Sequence, residues 1–486
     1  MAATTGNTAY QEITNSTGRV FRVGETPKDI LGWGPIRWGR WVPIMGAWLA
    51  IGLAGTLEYT WGSLSGSLQA AHGWGIAPTF WLFSVYIICE SFIQILTGYL
   101  RGRGLLPVRW AVIIGGIICG IAAYGWLSAS TQIWQAYLSY AVLGGIGSGM
   151  IYNSSINIVA KWFPEKKGWR TGFVNGAWAY GAVPFIFAIG AANTPTGVVA
   201  MSPGSVKTYI IVQGIIMTVG IALGGAFMKD PPKNWWPKEI DPLDWQKHGT
   251  RDLLNNPPAL RHYTLPQMWD TPQAKWLGIQ FALFVGCSLF GVAFYVPFAE
   301  SHGLGMIGIV GFAGFSLADG IFRPIYGYIS EFIGRRKTMT LAYSGNVIFQ
   351  LLAYFTGANH QAVLFAICAV ISGGLSGANF PMTALMVADY YGETNNAANY
   401  GSVYAWKALG GSFAGGGAAF VMTGTFYGTA HYHWLQGFIF GAALGALAAL
   451  VVWFKCKPPT VEQMRAAVAA TEAKEAQKPK PKPAIA

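Results

Sequence analysis

From Trp41 to Lys455 the chain is a succession of long apolar runs separated by short polar breaks. A helix of about 20 apolar residues matches the thickness of a bilayer core. Runs of that kind begin near Trp41, Thr79, Val108, Ile133, Trp169, Lys207, Lys275, Met306, Thr338, Gln361, Ala397 and Trp434, and they predict an all-α membrane protein of twelve transmembrane helices. Several runs are rich in glycine, as in GGIGSGMI from Gly144 and GGLSGANF from Gly373. Small residues there let helix backbones approach closely in lipid.

The polar breaks orient these helices, because Lys and Arg are retained on the cytoplasmic side. The connections after helices 2, 4, 6 and 8 carry Arg101 and Arg103, then Lys161, Lys166 and Lys167, then several cations between 229 and 275, then Arg335, Arg336 and Lys337. The other connections are nearly bare, with Lys207 the exception. Both termini are therefore expected in the cytoplasm. The expected organisation is a tail over 1–40, a six-helix bundle over 41–228, a polar, proline-rich linker over 229–273, a second bundle over 274–455 and a basic tail over 456–486. Residues 1–40 hold Glu12, Glu25 and Asp29 and no apolar core of a signal peptide, so the first helix is expected to direct its own insertion.

Composition agrees. Of 486 residues 53% are hydrophobic and 11% charged, against roughly 25% charged in soluble domains. The net charge of +12 sits between apolar runs rather than on one face, which excludes a nucleic-acid binder. Five scattered cysteines offer neither a disulfide framework nor metal-ligand spacing, and no cofactor is expected. No GxSxG, HExxH or Walker run supports an enzyme.

An internal repeat appears at an offset of 229. Gly98 falls on Gly327, Gly144 and Gly145 on Gly373 and Gly374, and Gly172 on Gly401. Agreement across helices 2, 4 and 5 argues for duplication of a six-helix unit. With both halves entering from the same side, this plan resembles the major facilitator transporters, whose substrate site lies at the midplane between halves. GYISEFIGRRK, with Gly327, Glu331, Gly334, Arg335 and Arg336, resembles that superfamily's signature loop, in which an acid and a basic cluster tie helix ends together. The first-half equivalent, GYLRGRGLLP, lacks the acid at Gly102, which implies a weaker lock.

Ionisable residues inside the spans are costly, at about 2.5–3.5 kcal/mol each near the bilayer centre on insertion scales. They are Glu58, Glu90, Asp319, Arg323 and Lys407. At the same offset Glu90 maps to Asp319, Gln94 to Arg323 and Trp178 to Lys407. Asp319 and Arg323 are one turn apart, so an ion pair within the helix is available. Lys407 has no acid at that spacing and requires a partner from another helix or from a ligand. Two cations in a shared cavity would hold an anion, Arg323 by a bidentate fork and Lys407 as a mobile point charge. Aromatic candidates for the walls are Tyr59, Trp61, Tyr152, Trp178, Tyr180, Tyr404 and Trp406.

EYTW, IYNSSINIVAKWFPEKKGWRTGF, FRPIYGYISEFIGRRKTM and NYGSVYAWKALGGSFAGGG together resemble the oxalate:formate antiporter family. In that family the matching arginine and lysine bind the dicarboxylate, and the resemblance carries that role to Arg323 and Lys407, with Tyr59, Trp61 and Tyr152 around the substrate. Against that family, Glu58 and Glu90 replace glutamines, Trp178 replaces a tyrosine, and Gly373 and Gly377 replace helix-10 aromatics. Loss of those aromatics is expected to enlarge the pocket, and Glu58, Glu90 and Asp319 are carboxylates able to couple protons. The expected function is transport of a small mono- or dicarboxylate by alternating access, as exchange or proton symport, in a bacterial inner membrane and as a monomer. The rivals are a transporter-like sensor that binds a carboxylate without moving it, and a channel, which a duplicated chain with a charged central site suits poorly.

Overall fold

The computed structural model describes residues 10–14, 20–24, 39–165, 167–192, 202–232, 234–243, 256, 259, 262–392, 395–424 and 432–476. Lys166, the linker between 244 and 255 and the basic end of the tail lie outside them. Helices follow the apolar runs closely. They are α1 (residues 41–72), α2 (Ile76–Gly102), α3 (Val108–Gly125), α4 (133–162), α5 (167–192), α6 (Pro203–Ala226), α7 (Pro272–Ser301), α8 (Gly305–Ile333), α9 (Arg335–Ala358), α10 (Ala362–Tyr391), α11 (396–423) and α12 (Trp434–Lys455), followed by α13 (Val461–Ala476). Among the described residues, nine of these are long and apolar enough to cross a membrane. The expected spans outside that set are α4, α9 and α11, whose apolar character is diluted by interior polar groups such as Asn346, Asn399 and Lys407.

Helix regularity fails where the interior is polar or crowded. α1 is interrupted at Gly55 and again at Thr60. It passes α5 so closely that a Cβ on Gly55 would lie 2.8 Å from Trp178 Cα. α3, α4 and α11 contain π-helical stretches at Ile118–Gly125, Tyr137–Gly144 and Phe413–Gly417. Such widened turns recur at functional positions.

Helices α1–α6 pack largely on one another, as do α7–α12, and the two sets meet where α5 lies along α8, α2 along α11 and α1 along α7. Glycines set these crossings. A Cβ at Gly415 of α11 would fall 2.6 Å from the Phe80 carbonyl of α2, and one at Gly62 of α1 would fall 3.0 Å from the Ala293 carbonyl of α7. Both contacts lie toward the end of the bundle away from the termini. Gly62→Val is therefore expected to penalise this closed packing by about 1–3 kcal/mol. A cysteine placed at Ala293 should then become about ten-fold or more accessible to a water-soluble thiol reagent.

The other end carries structure that the apolar pattern does not announce. Strands β1 (Tyr10–Thr14) and β2 (Val20–Gly24) form an antiparallel hairpin, and β3 (Trp235–Pro237), just after α6, pairs parallel to β2. Phe21, Val23 and Trp236 make a small core with Ile13, Ile240 and Leu243. Trp235 packs on Trp162 of α4, with ring centroids 5.6 Å apart. Arg40 bonds Glu165 at 2.9 Å and lies over Phe163. The first tail and the linker, read from sequence as plain polar segments, thus share a three-stranded sheet. α13, in the last tail, packs on a one-turn helix, Leu265–Trp269, that precedes α7.

Candidate functional site

Two buried clusters straddle the contact between the helix sets. In the first, Lys407 of α11 donates to Glu58 Oε2 of α1 at 2.8 Å and lies 3.2 Å from Glu90 Oε2 of α2. Its ammonium also donates to the Tyr404 hydroxyl at 3.3 Å, and that hydroxyl donates to Glu90 Oε1 at 3.2 Å. Gln94, one turn beyond Glu90, gives the same oxygen a 2.6 Å bond. All three charged groups are at most 1% exposed. The interruptions of α1 on either side of Thr56–Tyr59 set off the short turn that carries Glu58 toward the interior. Glu58 Oε1 has no hydrogen-bond partner among the described residues.

In the second cluster, Arg323 of α8 uses its whole fork. Nε and Nη2 bond the two oxygens of Asp319 at 3.3 and 3.1 Å, Nη1 bonds the carbonyl and Oδ1 of Asn175 at 3.1 and 2.5 Å, and Nη2 also reaches the Tyr59 hydroxyl at 3.2 Å. Tyr59 in turn donates to Asp319 Oδ2. Asn175 Oδ1 accepts from Tyr152 as well, at 3.2 Å. A guanidinium with five donors satisfies this arrangement where an ammonium could not.

Phe380 of α10 joins the clusters, with Arg323 4.9 Å and Lys407 5.8 Å from its ring centre. Trp178 and Tyr404 each lie 5.5 Å from the Lys407 ammonium. Tyr152 packs against both rings, at 5.1 and 5.2 Å. The cations thus share an aromatic wall, a setting that strengthens their electrostatics by excluding water.

The structure brings together Arg323, Lys407, Tyr59, Tyr152, Trp178, Glu58, Glu90 and Asp319. Trp61 lies apart, stacked on Tyr140 at 4.2 Å. Two readings change. Gly373 and Gly377 do not widen a pocket. They seat α10 against α8, where a Cβ would meet Phe315 Cα at 2.6 Å or Asp319 Oδ1 at 3.1 Å. The aromatic next to the cations is Phe380 instead. The first-half loop also has its lock, because Asp230 after α6 pairs with Arg101 at 3.3 Å and Lys161 at 2.6 Å. In the second half, Gly334 ends α8 with φ of 87°, and Arg335 pairs with Asp389 at the end of α10 at 3.2 Å. Arg336 bonds the Trp453 carbonyl at 3.3 Å. Glu331 lies near this turn and is partly buried, and Gly327 gives its carbonyl to Ser330 and to Arg335.

Asn175 and Phe380 were not among the residues singled out from sequence. A neutral amide and one phenylalanine among 28 carry no anomaly to find. The only signal for Asn175 was its place one turn before Trp178.

Comparison with known proteins follows the same lines. The chain is 26% identical over 396 residues to the oxalate:formate antiporter of Oxalobacter formigenes, a match covering 80% of this chain and 87% of that one. It is 26% identical over 379 residues to the uncharacterized MFS-type transporter YhjX of Escherichia coli K12, covering 76% and 85%. Its fold is similar to the xylose transporter XylE of E. coli (TM-score 0.61, 14% identity, 85% of this chain and 98% of that one). It is also similar to the nucleoside transporter NupG (TM-score 0.60, 11% identity, 85% and 100%). The family model for the Major Facilitator Superfamily matches residues 46–314 and again 305–484. The motif resemblance is borne out, and the chain, an integral membrane transporter and not an enzyme, belongs to the major facilitator superfamily.

Proposed function

We propose that this protein is a proton-coupled symporter of a small monocarboxylate. One observation carries the reading: the Lys407 ammonium is held between two carboxylates, Glu58 and Glu90, from the opposite half of the chain. The relative named as an oxalate:formate antiporter supports a small carboxylate as cargo.

Charge accounting favours symport over exchange. Asp319 balances Arg323, while Glu58 and Glu90 together over-balance Lys407. The empty site thus carries no uncompensated cation that would hinder its reorientation. A substrate carboxylate brought to Lys407 would meet two like charges within a few ångströms, which is strongly unfavourable in a dry site. A proton on one glutamate leaves a single like charge in place of two and releases an ammonium hydrogen for the incoming anion. Arg323 would exchange Asn175 Oδ1 and the Tyr59 hydroxyl for the substrate's oxygens, keeping Asp319. A dicarboxylate would add a second negative charge for which no cation is left over.

In this reading twelve helices cross the membrane as two bundles that rock about the site. The sheet and the loop cations lie on the cytoplasmic side of a bacterial inner membrane. One chain supplies every residue of the site, so it acts as a monomer. The test is uptake of labelled formate, acetate and lactate into proteoliposomes that contain no internal substrate. An inward proton gradient should drive at least one of them uphill. Uptake that requires internal substrate would instead mark an exchanger, and binding without uptake a sensor.

A further inference from the structure

A second polar system lies behind the site, in the wall of the first half. Between α5 and α6 is a cavity of about 810 Å³ lined by residues that include Pro184, Phe185 and Ala188 of α5 and Ser205, Tyr209 and Gln213 of α6. Ser202, Ser205, Tyr209 and Gln213 recur every three or four residues and form one polar stripe. It runs from the outer end of α6 to about 15 Å inside, near the middle of the helix. The lipid stripe of the same helix, Ile211, Ile215, Val219 and Leu223, is exposed. At the floor, Gln213 is 1% exposed, and among the described residues neither its amide nitrogen nor its oxygen has a hydrogen-bond partner.

The system continues inward. A Cβ at Gly214 would lie 3.2 Å from Tyr124 Cβ of α3. The Tyr124 and Tyr209 hydroxyls both lie beside Thr60, at the second interruption of α1. Tyr140 of α4 lies beside Tyr124 and beside Glu58, gives its hydroxyl hydrogen to the Leu57 carbonyl at 2.8 Å and stacks on Tyr86 of α2 at 5.2 Å. Tyr86 also lies beside Glu58. Tyr86 lies beside Ser148 as well, and Glu58 Oε1, the oxygen not bonded to Lys407, has no hydrogen-bond partner among the described residues. Tyr124 and Tyr140 each sit in a π-helical stretch. Glu58 itself is faced by Lys407, Glu90, Tyr59, Tyr86, Tyr140 and Tyr404.

We propose that the α5–α6 cavity is a hydrated vestibule whose water is held by the Gln213 amide, and that this water and the hydroxyl groups of Tyr209, Tyr124, Thr60, Tyr140 and Tyr86 deliver protons to Glu58 Oε1 by a route separate from the substrate's. An acyl chain in the cavity would leave the Gln213 amide with its bonds unmade, whereas water satisfies them. At about 30 Å³ per molecule the volume holds on the order of twenty-five waters. The proton balance is closed: a proton from bulk water enters at the vestibule, Thr60 and Tyr140 turn their hydroxyl hydrogens away from the Thr56 and Leu57 carbonyls, each hydroxyl then passes on one hydrogen as it receives another, and the carboxylate of Glu58 becomes the carboxylic acid. The proposal rests on the proton-coupled reading for its purpose, and its test has an arm that does not.

Single cysteines at Ser205, Gln213 and Ile215 are treated with a charged, membrane-impermeant methanethiosulfonate, with the unmodified protein as background. Ser205→Cys and Gln213→Cys should react and Ile215→Cys should not. If Gln213→Cys is as inert as Ile215→Cys, the cavity is filled by lipid and the proposal fails. In proteoliposomes, Tyr86→Phe and Gln213→Leu should slow substrate-driven proton uptake about ten-fold or more, while thermal stabilisation by substrate stays as in the unmodified protein. If the unmodified protein takes up protons with substrate and both variants do so equally fast, this route is wrong while the symport reading stands. If the unmodified protein moves no protons with substrate, the symport reading falls and the delivery role falls with it.

Discussion

Arg323→Lys should reduce transport about a hundred-fold or more while leaving the protein folded. The replacement keeps a positive charge beside Asp319, so no buried carboxylate is stranded. What it loses is the fork. Arg323 bonds both oxygens of Asp319, the backbone and side chain of Asn175, and Tyr59 at once. An ammonium has three donors and no fixed plane. Two of these charge-assisted bonds go, each worth about 1.5–3 kcal/mol, and every 1.4 kcal/mol is about ten-fold in affinity. Because Asn175 belongs to α5 and Arg323 to α8, the bonds lost are those that link the two halves around the proposed substrate position. Initial uptake rates, set beside the melting temperature of the same preparations, separate this effect from misfolding.

Lys407→Gln has the larger effect on the protein itself. It leaves Glu58 and Glu90, both fully buried, facing one another without the cation that holds them. Removing one partner of a buried ion pair costs about 3–5 kcal/mol, because the remaining charge has no water to turn to. A second substitution, Glu58→Gln, should restore much of that stability by deleting one stranded carboxylate. Transport should stay absent in both variants, since neither presents an ammonium to the substrate. Denaturation of the two single variants and the double variant forms a cycle whose coupling energy measures the pair directly. Additive losses would mean that Lys407 and Glu58 do not interact.

The charged part of this site was legible in the sequence because charge in an apolar run has a cost that demands an explanation. Arg323, Lys407, Glu58, Glu90 and Asp319 stand out for that reason alone, and the offset of 229 already put Glu90 and Asp319 on equivalent faces. Partner choice was not legible. Lys407 meets carboxylates roughly 350 and 320 residues away, and nothing local encodes which helices will touch. Glycine was ambiguous in principle: at Gly373 and Gly377 it could have meant room for a ligand or close approach of a helix, and the packing of α10 on α8 is the second. Helix starts were read to within a few residues, as at Trp41, Val108, Ile133 and Trp434. The N-terminal hairpin escaped notice because β1 and β2 are only five residues each, and β3, the strand that pairs with β2, lies more than 200 residues further along.

The account stands on Glu58 and Glu90 occupying Lys407 until a proton makes way for the substrate. The direct measurement is the number of protons taken from a weakly buffered solution when purified protein binds the monocarboxylate proposed as its substrate. Uptake of about one proton per bound anion, abolished in Glu58→Gln or in Glu90→Gln, is the result expected from two like charges competing for one ammonium. Saturable binding with no change in solution pH would mean that the anion enters without displacing either glutamate, and would contradict it.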